Sequence, residues 1–339
     1  MASTVVGPVA MDERGAARDR VVSGIQRQGA LIALVLLVLF GVVRYGATFY
    51  SPYNIFDAFL NNNTFYALTA LGMTFVIISG GIDLSVGSVA VLAAVTAARL
   101  SVYGLFPALA GAVLVGLFAG LINGWLIARF ALQPFVVTLA MLLAARGAGL
   151  TLSNNAPVMV DFAKGFTQLG MMHIGPVPLP VLITAVLYAL GMLLLNRTRF
   201  GRHVLAIGGN EEAARLAGIP VAKTLVVVYA MSGALAGLAG AFLAALSFSG
   251  SPTGAIGWEL SAIAAVVVGG TLLTGGIGSV GSTLIGVLLL GLIFVTLNFE
   301  RGQGTFQLNS FWENFIRGAF LLIVVVFQSR LAKRGNAAN

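Results

Sequence analysis

Roughly ten apolar runs divide this chain, and a run near twenty residues long crosses the hydrocarbon of a bilayer as a single helix. They are read at about 29–50, 64–80, 86–103, 105–129, 133–150, 177–196, 224–247, 260–274, 282–298 and 311–328. Only 9% of the 339 residues are charged, against about a quarter in a soluble domain. The fold class that follows is all-α integral membrane, a polytopic helix bundle. A polar tail at 1–28 precedes a transmembrane domain at 29–330, and a short tail at 331–339 closes the chain. The first tail is expected to lack fixed structure. The run after it has no small-residue cleavage site and reads as an uncleaved anchor. The 43 glycines suit helices packed closely through small residues.

Two gaps between runs carry nearly the same wording. Residues 80–88 read GGIDLSVGS and residues 275–282 read GGIGSVGS, each between apolar spans. Glycine-interrupted spans at corresponding places in two related halves mark a transporter built from repeats. A helix broken at membrane depth is tolerated only where protein or a water-filled cavity covers the freed backbone. Gly80, Gly81, Asp83, Gly87, Gly275, Gly276 and Gly281 are therefore the candidate gate and path positions. A carboxylate at the bilayer centre costs about 3 kcal/mol and faces a partner or water. Asp83 is accordingly expected to cap the helix that begins near Ser85 and to support the gate.

If the spans alternate in direction, most of the nineteen basic residues fall on the side of the two termini, which makes both termini cytoplasmic. The net charge of +8 is thus assigned to membrane orientation and not to nucleic acid. Arg146 is expected to snorkel to the outer interface, with Trp258 and Trp312 as interfacial anchors. Residues 153–175, with Asn154, Asn155, Asp161, Lys164 and His173, form either an ordinary outer loop or a surface for an external partner. Residues 197–223 hold a capped helix: Asn210 is a good N-cap, Glu211 and Glu212 suit its first turn, and Gly218 before Ile219-Pro220 stops it. On pattern alone a solvated surface helix ranks ahead of a docking element.

Catalytic chemistry is missing from the pattern. No phosphate-binding loop of the G-x-x-x-x-G-K-[ST] kind occurs, nor a nucleophile elbow with usable partners. No cysteine is present, and His173 and His203 are too far apart in sequence to suggest a metal site. The chain is expected to be no enzyme, to hold no metal and to bind no cofactor itself.

Three blocks carry a resemblance: residues 72–89 (GMTFVIISGGIDLSVGSV), 197–218 (RTRFGRHVLAIGGNEEAARLAG) and 262–286 (AIAAVVVGGTLLTGGIGSVGSTLIG), with PFVVTL at 134–139 beside them. The chain resembles the permease subunits of bacterial ABC importers for monosaccharides, the ribose, xylose and galactofuranose branch, and is most similar to galactofuranose permeases. One departure is Ser261, where the family usually has aspartate. The likeness runs from about residue 31 to 330. It implies an inner-membrane subunit with three kinds of protein partner: an ABC ATPase that holds ATP and Mg, a periplasmic sugar-binding protein and a second permease chain. It turns the 197–223 segment into a coupling loop, with Asn210, Glu211, Ala213 and Gly218 at the docking surface, and makes 153–175 a contact for the binding protein. Asn123, Gln133, Phe135 and Thr138 are tentative substrate-path residues, and Asn63 could also serve sugar hydroxyls. A stand-alone secondary transporter is the alternative.

Overall fold

The computed structural model describes residues 13–302, with side chains from Gly29 to Glu300, and beyond them only Trp312, Phe315, Gly318, Ala319 and Leu322. The run read at 311–328 and the tail at 331–339 lie outside that description, save for those isolated positions.

Twelve α-helices follow in order among the described residues: α1 (Glu13–Tyr45), α2 (Asn62–Ile78), α3 (Val86–Leu100), α4 (Leu105–Phe130), α5 (Pro134–Leu152), α6 (Gln168–Met171), α7 (Leu179–Arg197), α8 (Arg199–Gly209), α9 (Glu211–Leu216), α10 (Val221–Leu246), α11 (Trp258–Val268) and α12 (Val280–Gly302). Among the described residues, seven segments are long and apolar enough to cross a membrane. α2, at 17 residues, is lengthened by the π-helical stretch Asn54–Asn61 that leads into it. Two expectations change. The tail expected to lack structure is helical from Glu13. The run read at 260–274 is helical only as far as Val268, in the 11-residue α11, because Gly270 turns left-handed at φ 95° and ends the helix inside an apolar stretch.

α10 is the hub, packed on α4, α3 and α2. On α4, Ala112, Gly116, Gly120 and Gly124 repeat every fourth residue and so share one face. That face meets Val226, Tyr229, Gly233 and Gly237 of α10 so closely that Cβ atoms on these α4 glycines would collide with α10 backbone. Small residues at this spacing let membrane helices approach to backbone contact. α2 is buried almost throughout, from Asn63 to Ile78.

α3 and α11 are half-helices that start side by side. Gly87 in the first turn of α3 lies against Ala255, Trp258 and Glu259 at the start of α11. From there α3 runs to Ser101, whose hydroxyl accepts from the Asp161 amide at 2.8 Å. α11 runs the opposite way, to Gly269 beside Ser282 and Thr283 of α12.

At the end of the bundle reached by α3, residues 153–178 form a small cap. Val158–Met159 (β1) pairs with Ser249–Gly250 (β4), and His173–Ile174 (β2) with Val177–Pro178 (β3), both antiparallel. His173 Nε2 lies 2.9 Å from Asp57 Oδ1. α1 leans on α12 there through Tyr45, Phe49 and Phe299, and the Tyr45 hydroxyl donates to Glu300 at 2.7 Å.

Candidate functional site

Three helices end in the same way. At the close of α2, Gly80 N–H donates to Ile77 O and Gly81 N–H to Val76 O; at α9, Gly218 to Arg215 O and Ile219 to Ala214 O; at α11, Gly270 to Val267 O and Thr271 to Val266 O. Each is a Schellman cap around a left-handed glycine, with φ of 85°, 77° and 95°. The repeated GGI wording is therefore not structurally repeated. Gly80-Gly81 stop a helix, whereas Gly275-Gly276 lie beyond the stop, in the loop before α12. The shared part is SVGS, since α3 begins at Val86 and α12 at Val280.

The two breaks touch one another. Gly276 N–H donates to the Ile78 carbonyl at 2.9 Å, and a Cβ on Gly275 would stand 2.9 Å from the Cα of Gly80. Between them sits the end of α8. A Cβ on Gly208 would fall on the Ile78 oxygen and reach within about van der Waals overlap of the Gly276 amide. Five glycines, Gly80, Gly208, Gly209, Gly275 and Gly276, meet here, and at Gly208, Gly275 and Gly276 a Cβ would strike neighbouring backbone. The adjacent α9 stands outward: Asn210 Oδ1 accepts from Ala213 N at 2.9 Å, Glu211 and Arg215 pair at 2.7 Å on one exposed face, and Ala213 and Gly218 are exposed. Thr198, accepting from Gly201 N at 3.2 Å, starts α8. Asn210, Glu211, Ala213 and Gly218 thus belong to one exposed element that follows directly on the Gly208-Gly209 contact with both breaks.

Asp83 lies deeper, 1% exposed. One carboxylate oxygen accepts from the Ser85 amide at 2.9 Å and the Ser85 hydroxyl at 2.6 Å. The other accepts from Ser232 of α10 at 2.9 Å. Asn123 of α4 donates to the Ser85 hydroxyl at 3.0 Å. Asp83 therefore ties the start of α3 to α10, and through Ser85 to α4, as well as preparing a helix start. Tyr229, fully buried on α10, places its hydroxyl against Gly81 with no hydrogen-bond partner, and Asn123 Oδ1 also lacks one.

The tentative path residues do not converge. Asn123 belongs to the Asp83 cluster. Thr138 is buried on α5 and donates to Ile82 and Pro134 carbonyls at 3.2 and 2.9 Å. Gln133 is exposed at the N-cap of α5, and Phe135, 51% exposed, points away from the core. Gly281 sits in the first turn of α12, where an added Cβ would stand 3.6 Å from Met192, and Asn63 donates to Phe59 O at 2.6 Å. Sequence reasoning missed Gly208, Gly209, Ser232 and Tyr229. A Gly-Gly pair immediately before an N-cap was the available signal for the first two; nothing local marks the others.

A cavity of about 800 Å³ with charged residues on its wall opens between these parts, lined among others by Ser79, Gly80 and Gly81, by Arg129, Gln133, Glu211, Arg215 and Lys223, and by Tyr229.

A polytopic bundle with broken helices and an exposed capped helix next to the breaks is a membrane permease in class. A family model described as "Branched-chain amino acid transport system / permease component" matches residues 55–325, and the chain belongs to that family. Among its relatives, the ribose import permease protein RbsC of Escherichia coli (strain K12) is 36% identical over 313 residues, 90% of this chain and 94% of the relative. RbsC of Bacillus subtilis (strain 168) is 38% identical over 310 residues, covering 90% and 93%. The L-arabinose ABC transporter permease protein AraH of Azospirillum brasilense is 36% identical over 314 residues, covering 92% and 90%. No solved structure matches the chain.

Proposed function

We propose that this chain is the non-catalytic permease subunit of an ATP-driven inner-membrane importer of a monosaccharide. The observation that carries the reading is the wedge of Gly208-Gly209 between the two helix breaks, directly before the exposed, capped α9. A force applied to α9 reaches both breaks through backbone contacts, with no flexible side chain between. In this reading an ABC ATPase, which holds ATP and Mg, docks on α9 through Asn210, Glu211, Ala213 and Gly218. The basic α9 end then faces the cytoplasm, with both termini on that side. The 153–178 cap at the opposite end receives the sugar-binding protein, and a second permease chain completes the path. Gly80, Gly81, Gly87, Gly275, Gly276, Gly281 and Asp83 hold the moving parts. Gln133 and Phe135, exposed on α5, remain candidates to line the path, while Asn123 and Thr138 brace it.

A monosaccharide is supported by the ribose and L-arabinose named in the relatives. The galactofuranose likeness rests on sequence wording alone, so ribose, arabinose and galactofuranose are assayed together. Among the described residues Asp83 is the one charged side chain fully buried. Ion-coupled carriers commonly bury several, which favours the ATP-driven reading over a stand-alone carrier.

The test is reconstitution with an ABC ATPase and a binding protein. ATP-dependent sugar uptake that disappears in Glu211→Lys, with membrane insertion intact, is the expected result. Uptake that needs only an ion gradient overturns the proposal.

A further inference from the structure

The cavity beside α9 carries a positive charge for which a neutral sugar has no use. Its lining includes three basic side chains, Arg129, Arg215 and Lys223, against one acidic group, Glu211. Glu211 is already paired with Arg215, and Arg129 and Lys223 have no ion-pair partner among the described residues. The first residues of two long helices, Pro134 of α5 and Val221 of α10, line the same space, and helix N-termini attract anions. At the break side of the cavity lies Tyr229, whose fully buried hydroxyl is unpartnered beside Gly81. A buried hydroxyl left without a partner is costly and points to an unfilled polar role.

The surface leading to the cavity is apolar. Leu114, Phe118, Leu121 and Trp125 are 60%, 65%, 39% and 54% exposed, and their spacing puts them on one face of α4. The next residue of that face is Arg129. Its guanidinium lies 5.8 Å from the Phe130 ring centre, and Phe130 meets Trp125 edge to face at 5.4 Å. An apolar stripe that ends in an aromatic pair and then a cation marks the depth of the headgroups.

The geometry points to a headgroup site for an anionic phospholipid, with its phosphate between Arg129 and Lys223 and its acyl chains along the α4 stripe. Basic pockets between membrane helices hold such headgroups. The phosphate carries the charge, the positive ends of the two helix dipoles face it, and Tyr229 lies at the inner wall, where a small shift of Gly80-Gly81 would open its hydroxyl to the ligand.

The experiment uses the purified full chain in nanodiscs of phosphatidylcholine with rising phosphatidylglycerol, counting retained lipid by native mass spectrometry. Selective retention of phosphatidylglycerol is expected. Arg129→Gln with Lys223→Gln should weaken it about thirty-fold, near five-fold for each basic residue. Tyr229→Phe should weaken it less and leave the fold intact. Arg197→Gln with Arg199→Gln, on the same basic end but off the cavity, should leave retention unchanged. An equal loss in that control overturns the site in favour of diffuse surface charge. Binding of inorganic phosphate without preference for phosphatidylglycerol overturns the lipid assignment. Retention untouched in the cavity variant, with loss of ATPase co-purification instead, gives the cavity to an acidic partner and overturns it too. Sugar uptake enters none of these readings, so the importer proposal stands or falls separately.

Discussion

Asp83 shows how a buried charge is held without a counter-charge. Its carboxylate takes three hydrogen bonds, all from Ser85 and Ser232, and no basic side chain pairs with it among the described residues. Asparagine in its place keeps one acceptor but turns an NH2 toward a donor. Leaving a buried donor unmatched costs about 1–3 kcal/mol, so Asp83→Asn should lower the melting temperature in detergent measurably; an unchanged melt would remove the tie. The sequence singled out Asp83 because it is a lone carboxylate among glycines next to apolar runs, which is a local signal. Ser232 and Asn123 were not legible as its companions. They sit on helices 149 and 38 residues from their partners, and serine or asparagine within an apolar helix has many possible uses.

At the scale of elements, the caps were legible and the contacts were not. Asn210, Glu211 and Gly218 announce α9 because capping is chemistry of near neighbours. The amphipathic α8 before it went unread inside a basic loop, and its Gly208-Gly209 end meets Ile78 and Gly276, far off in sequence. α11 was overextended because hydrophobicity runs on through Gly269-Gly270, and apolar length alone does not show where a helix stops. The paired glycines allow a test with an internal control. Gly208→Ala drives a Cβ into the Ile78 carbonyl, whereas nothing lies within 4 Å of a Cβ on Gly209. Overpacking of this kind costs about 1–3 kcal/mol. Gly208→Ala is expected to melt earlier and lose uptake while Gly209→Ala keeps both; equal behaviour of the two would remove the wedge from the mechanism.

For the whole molecule, the membrane-spanning bundle was legible because a bilayer admits few solutions to a chain this apolar. The cap at the end away from α9 was not, since its two short strand pairs and the Asp57–His173 contact join segments with no periodic pattern. That contact gives the cap a pH dependence. The hydrogen bond to Asp57 raises the pKa of His173, so the protonated ring is favoured in the folded state. The contribution is complete below the unfolded value near 6.5 and is lost as pH climbs through the raised value. Amide exchange over residues 171–178, corrected for intrinsic rates, should be slower at acidic than at alkaline pH, and His173→Gln should abolish the difference; a pH-independent pattern in the native chain argues against the tie. The opposite end has a consequence for synthesis. The Ile78 carbonyl is made early, and its partner amide at Gly276 leaves the ribosome only after most of the chain. At roughly 5–20 residues per second, α2 waits about ten seconds or more with that carbonyl unanswered. The nascent protein therefore enters the bilayer with this end unsealed, and the bonds that bring the two breaks together form only late in synthesis.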